Sequence, residues 1–137
     1  MSATQTAPYL SYELKYTLNI TEELVRQHKQ AWQKKGLALV SAILYGPLAA
    51  GEYDEDIQLL EIVKGFPQNT DSRPYEFPST RQFPMYGRLR LRVMSPEEFK
   101  ASIKNSSALI SEVKGQMKIL RDQGKFAEKL LTQRAPR

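Results

Sequence analysis

The stretch that most constrains this chain is residues 37–64, LALVSAILYGPLAAGEYDEDIQLLEIVK, where two apolar runs flank a turn and a short acidic segment. Residues 38–45 are almost wholly apolar and of strand length, which predicts a strand buried on both faces of a sheet covered by helices. Gly46-Pro47 ends that strand, Leu48-Ala49-Ala50 suits one helical turn opened by proline, and Gly51 supplies a flexible backbone position. A second strand is expected over residues 56–63. Alternation then puts Asp56 and Gln58 on one face and Ile57 and Leu59 on the other. The unit is thus a strand, a turn and a strand, with one carboxylate and one amide projecting side by side.

The flanking sequence supplies the layers. Asn19-Ile20-Thr21-Glu22 has the pattern of a capping box, and Leu24, Val25, His28, Ala31 and Trp32 follow at helical spacing until Lys34-Lys35-Gly36. Before it, Tyr12, Leu14, Tyr16 and Leu18 alternate, so residues 1–18 are expected to form an N-terminal strand or an arm. Residues 65–84 carry Pro67, Pro74, Pro78 and Pro84 and read as a long loop or flap, either packed through its aromatic residues or mobile.

Residues 85–94 alternate Leu89, Leu91 and Val93 with Arg88, Arg90 and Arg92, an amphipathic strand with its arginines on one face. Ser95-Pro96-Glu97-Glu98 opens a helix to about residue 104. A further helix over residues 107–114, a short edge strand over 117–120 and a helical segment over 126–131 complete the pattern. The fold class is α/β, a small mixed sheet with helices packed on it. Residues 19–122 form the main domain, with an N-terminal arm (1–18) and a C-terminal helical segment and tail (123–137).

Composition narrows the chemistry. The chain has 137 residues, enough for one domain, and its lack of cysteine excludes disulfides, thiolate metal sites and cysteine nucleophiles. His28 is the single histidine and is read as packed or superficial; with no nucleophile-elbow motif around Ser41, a hydrolase triad has no support. Trp32 and Tyr45 read as core aromatics. No apolar segment approaches the roughly 20 residues a bilayer span needs, so a cytoplasmic protein without membrane association is expected. The net charge of +5 is unevenly spread. Glu52, Asp54, Glu55, Asp56 and Glu61 lie in a segment without a base, and Arg81, Arg88, Arg90 and Arg92 in one without an acid. Either the two segments face one another or the basic one faces a ligand.

Gly46-Pro47-Leu48-Ala49-Ala50-Gly51, followed by Asp56-Ile57-Gln58-Leu59-Leu60, resembles the signature of the nucleotidyltransferase superfamily that includes the DNA polymerase beta type enzymes and the small minimal nucleotidyltransferases. The downstream order of strand, SPEEF helix, second helix and terminal strand extends the resemblance over roughly residues 22–122. The resemblance implies a nucleotidyltransferase-like fold. In that family a glycine-serine pair holds the phosphates of a nucleoside triphosphate, and two aspartates one residue apart, with a third carboxylate from a later strand, bind divalent cations. Those cations neutralise the charge that builds between the entering and leaving oxygens.

This sequence departs from the pattern at each of these places. Gly46 matches, but Pro47 replaces the serine and removes a hydroxyl and an N–H. Asp56 matches the first aspartate, Gln58 replaces the second with a neutral amide, and the third carboxylate falls at Arg90, flanked on its face by Arg88 and Arg92. An arginine at a ligand position puts fixed positive charge where a cation belongs, and an ion pair between Asp56 and Arg90 is the expected replacement.

A catalytically impaired member is therefore expected, without cofactors. It would act through a helical protein partner, as in the toxin-antitoxin couples of this family, or as a homo-oligomer. Two alternatives stay open. One is transfer to protein or RNA with Mg2+ and a nucleoside triphosphate, using Asp56 as catalytic and metal-binding residue with Glu52, Asp54 or Glu55. The other is binding of phosphate or nucleic acid without catalysis, at a site drawn from Gly46, Gln58, Arg88, Arg90 and Arg92. The plainest reading of the same residues is a solvated strand acid and arginines coating an exposed sheet face.

Overall fold

Leu14, Thr17, Leu18, Thr21, Leu24, Val25, His28 and Trp32 recur at helical intervals. In the computed structural model, which describes residues 8–65 and 89–132, they run along the inner side of one long helix, α1 (Pro8–Lys34). The expected arm or strand is thus helical from Pro8, and Asn19 is an exposed mid-helix residue instead of a cap. The reason lies in the spacing: Leu14 and Leu18 are two steps of a period-two pattern and also one turn of a helix. Burial of the threonines decides between them. Thr17 and Thr21 are fully buried, and the Thr21 hydroxyl donates to the Thr17 carbonyl at 2.7 Å, so the helix itself satisfies a polar group on its inner stripe. At the other end Gly36 takes φ +78°, and the Leu37 N–H donates back to the Trp32 carbonyl at 2.9 Å, closing the helix as foreseen from its glycine stop.

The sheet has the order β3-β2-β1-β4. Strand β1 (Ala38–Tyr45) runs antiparallel to both β2 (Ile57–Lys64) and β4 (Met117–Asp122), while β3 (Leu89–Met94) lies parallel to β2. The central position of β1 explains its apolar sequence, since Leu39, Ala42 and Leu44 pack towards α1 and Val40, Ile43 and Tyr45 towards the opposite layer. A bulge between Leu39 and Ser41 sets that division. Strand β2 starts one residue later than expected, leaving Asp56 just ahead of it.

Helices α2 (Pro96–Lys104), α3 (Ala108–Gly115) and α4 (Phe126–Thr132) form the second layer. Ser95 caps α2 in the expected reciprocal manner: the Glu98 N–H donates to its hydroxyl and its own N–H donates to the Glu98 carboxylate. Phe99, Ile110, Val113, Ala127 and Leu131 descend from these helices onto Leu60 and Ile62. Asp122, at the end of β4, accepts from the N–H groups of Ala127 and Glu128 and from the Ser41 hydroxyl, which ties α4 to the centre of the sheet. Among the described residues the chain is therefore mixed α/β, a four-stranded sheet between α1 and three shorter helices. Most of the expected loop, with the segment 85–88 that includes Arg88, lies outside the described residues. No helix among the described residues is long and apolar enough to cross a membrane.

Candidate functional site

The end of β1 turns sharply at Gly46, whose φ of 85° and ψ of −163° belong to a region essentially restricted to glycine. Its carbonyl accepts from Ala49 at 3.0 Å and opens the 3-10 turn Pro47–Ala50; its N–H donates to the Gln116 carbonyl at 3.1 Å. Gly51, left-handed at φ 88°, closes the turn. The acidic segment then folds on itself, with the Asp56 N–H donating to the Asp54 carboxylate at 3.1 Å, a local turn that aspartate favours. Ile57, fully buried, anchors the start of β2.

Two contacts define what the turn presents. Nη2 of Arg90 lies 3.3 Å from Oδ1 of Asp56, with both side chains about half exposed. The amide of Gln58 lies over the α-carbon of Gly46, so close that a Cβ at residue 46 would sit 2.5 Å from Nε2. Register explains the first contact: β2 and β3 run parallel with Gln58 opposite Arg90, which places the Arg90 guanidinium within reach of the residue two positions before Gln58. Four of the six named site residues, Gly46, Asp56, Gln58 and Arg90, thus converge at one end of the sheet. Arg92 lies one strand repeat further along β3 and does not join the ion pair. Arg88 falls outside the described residues.

Arg92 instead hydrogen-bonds the Tyr45 hydroxyl. Burial pushes the Tyr45 phenol above its ordinary value, the Arg92 charge and hydrogen bond oppose that rise, and the Glu112 carboxylate adds to it. Tyr45 therefore remains protonated and, with a guanidinium on its oxygen, keeps its O–H to donate. A depression of about 330 Å3 opens beside it, lined by Tyr45, Gly46 and Gln58 from the sheet and by Ser111, Glu112 and Gln116 from α3 and its end. Tyr45 is more than a core aromatic: its ring is in the core and its hydroxyl belongs to this polar array.

The acidic segment does not act as one face. Glu61 is fully buried on the α1 side, where Oε2 meets His28 Nδ1 and Oε1 accepts from Trp32 Nε1 at 2.9 Å. His28 is indeed packed, but as a partner of a buried carboxylate. The signal was present in the sequence: Glu61 interrupts the apolar run Leu59-Leu60-Glu61-Ile62-Val63, and a carboxylate in a doubly covered strand requires polar partners. The chain's single histidine and single tryptophan, both on the inner stripe of α1, supply them. Among the described residues, no group of three or more His, Cys, Asp and Glu side chains is gathered so as to hold a metal ion. Compared with family models, curated proteins and solved structures, the chain matches none.

Proposed function

We propose that this chain is a nucleotidyltransferase-like scaffold that has given up metal-dependent transfer and works through association with a protein partner or a second copy of itself. The observation that carries the reading is the 3.3 Å pair between Asp56 and Arg90. In the family that the sequence resembles, that space belongs to a divalent cation held by carboxylates. Here the one retained carboxylate already faces a fixed cation, its neighbour Gln58 is neutral, and the donor set does not fit Mg2+, which takes hard anionic or water oxygens in near-octahedral order. Half-exposed pairs contribute little stability, about 0–1 kcal/mol, so the effect of Arg90 is positional: it supplies positive charge where a metal would have to displace it.

Association is supported by α1. Tyr12 and Tyr16, one helical turn apart, are exposed at 68% and 39%, and aromatic surface of this kind is what protein interfaces bury. Native mass measurement and copurification under mild conditions test this half of the reading. Species heavier than the 15.7 kDa chain are expected, weakened by Tyr12→Ala with Tyr16→Ala; a solitary monomer that recovers no partner contradicts it.

A further inference from the structure

On the α1 side of the sheet, β4 carries a second irregularity, between its pairings Ala42 with Arg121 and Ile43 with Ile119. The extra residue is Leu120, and the bulge brings Leu120 and the neighbouring Arg121 together beneath α1, where strict alternation would separate them. There they line a depression of about 280 Å3 whose other wall is the helical stripe Glu22, Val25, Arg26 and Lys29. Three cationic side chains thus meet one carboxylate around a shallow cleft floored by Val25 and Leu120.

The Arg121 Nε is shielded from solvent and has no hydrogen-bond partner among the described residues. The Nε itself is closed to a water-sized oxygen, so a ligand in the cleft meets the guanidinium through its outer N–H groups, and the natural acceptor for a guanidinium fork is a planar or tetrahedral oxyanion. Arg26 pairs with Glu23 one turn back, but both side chains are substantially exposed and such a pair exchanges readily. Lys29 is half-buried and contributes a point charge.

We propose that this depression is an anion site for a phosphate dianion, held by Arg121 with Arg26 and Lys29. It lies on the other side of the sheet from the Tyr45 depression and does not depend on the account of Asp56 and Arg90. The test is a titration of the full chain with inorganic phosphate and, separately, with phenyl phosphate at low ionic strength, followed by 1H–15N NMR. Saturable shifts of the Arg121 Nε–H resonance and of the backbone at Val25, Arg26, Lys29 and Leu120 are expected. Arg121→Gln should weaken binding at least about tenfold, the scale of a lost charge-assisted hydrogen bond. Lys29→Gln, a change on the helix surface that leaves the fold intact, should also weaken it, whereas Lys104→Gln, an equal loss of charge on an exposed end of α2, should not. Equal affinity for the two probes assigns the free anion, and tighter binding of phenyl phosphate assigns a monoester. Shifts that do not saturate, wild-type affinity in Arg121→Gln, or equal weakening by Lys104→Gln and Lys29→Gln would overturn the proposal.

Discussion

Nη2 of Arg90 sits 3.3 Å from Oδ1 of Asp56, joining β3 to the segment that leads into β2. The pair puts a fixed positive charge against the carboxylate of the acidic turn. Because both partners are half exposed, Arg90→Ala should change stability by no more than about 1 kcal/mol. Urea unfolding of the two proteins checks this; a markedly larger loss would mean that the pair is a structural tie.

If the turn descends from a metal centre, restoring the ligands should restore the ion. The double variant Gln58→Asp with Arg90→Asp removes the fixed cation and places carboxylates beside Asp56, and it is expected to bind Mn2+ measurably where the natural chain does not. Paramagnetic broadening of resonances around Gly46 reads the outcome. A double variant as indifferent to Mn2+ as its parent would argue that this end of the sheet never had the required geometry.

Gly46 should tolerate no side chain. Gly46→Ala imposes a glycine-only backbone conformation on alanine and drives its Cβ to 2.5 Å from the Gln58 amide, for an expected loss of about 1–3 kcal/mol from the backbone alone. Adding Gln58→Ala removes the clash but not the strain, so the double variant should recover part of the loss and no more. Chemical denaturation of the four proteins in that cycle supplies the comparison.

The buried carboxylate makes a stronger demand. Glu61→Ala leaves His28 and the Trp32 Nε1–H without their shared acceptor, and leaving the partners of a buried hydrogen-bonded carboxyl group unsatisfied typically costs about 3–5 kcal/mol. The single tryptophan reports on the same contact, so unfolding followed by its fluorescence should show both the lower midpoint and an altered native spectrum. A stability within 1 kcal/mol of the parent, on the order of an ordinary surface change, would contradict the network's role.

Tyr45 ties stability to alkaline pH. Its folded-state value is raised above the ordinary 10.0, so the folded chain holds this proton more tightly than the unfolded one. The contribution is complete below pH 10.0 and is lost as pH rises through the higher folded value. The stability difference between the natural chain and Tyr45→Phe, measured by denaturant unfolding from neutral pH upwards, should therefore stay constant to about pH 10 and then fall. A difference that grows above that point would reverse the assigned sign.

Where sequence and structure agree, the local signals were redundant. The doubly buried β1, the turn at Gly46, the Ser95 capping box and the alternation around Arg90 each had two or more independent cues, and all of them recur in the fold. The N-terminal segment is ambiguous in sequence, because tyrosines and leucines two apart fit a strand and, one turn apart, fit a helix; only the burial of Thr17 and Thr21 separates the two. At the site, the pairing of Asp56 with Arg90 is expected from the resemblance, which puts Arg90 at the position of the third carboxylate; in the fold Gln58 stands opposite Arg90 and Asp56 lies just ahead of the strand. The seat of Gln58 on Gly46 comes from the β1–β2 register, in which Tyr45 pairs with Gln58, and the approach of Glu112 to Tyr45 depends on how α3 meets the sheet, neither of which a local pattern encodes. Glu61 lies among acidic residues along the chain, but strand alternation sends it to the opposite side from Gln58, into the core beneath α1.

Whether the Asp56 turn supports metal-dependent nucleotide chemistry is decided by calorimetric titration of the chain with each nucleoside triphosphate in the presence of Mg2+ or Mn2+, alongside Asp56→Ala. The two proteins should give the same heats, with no component that appears only when the metal is added. Tight, metal-dependent binding that disappears in Asp56→Ala would contradict the proposed loss of metal-dependent transfer.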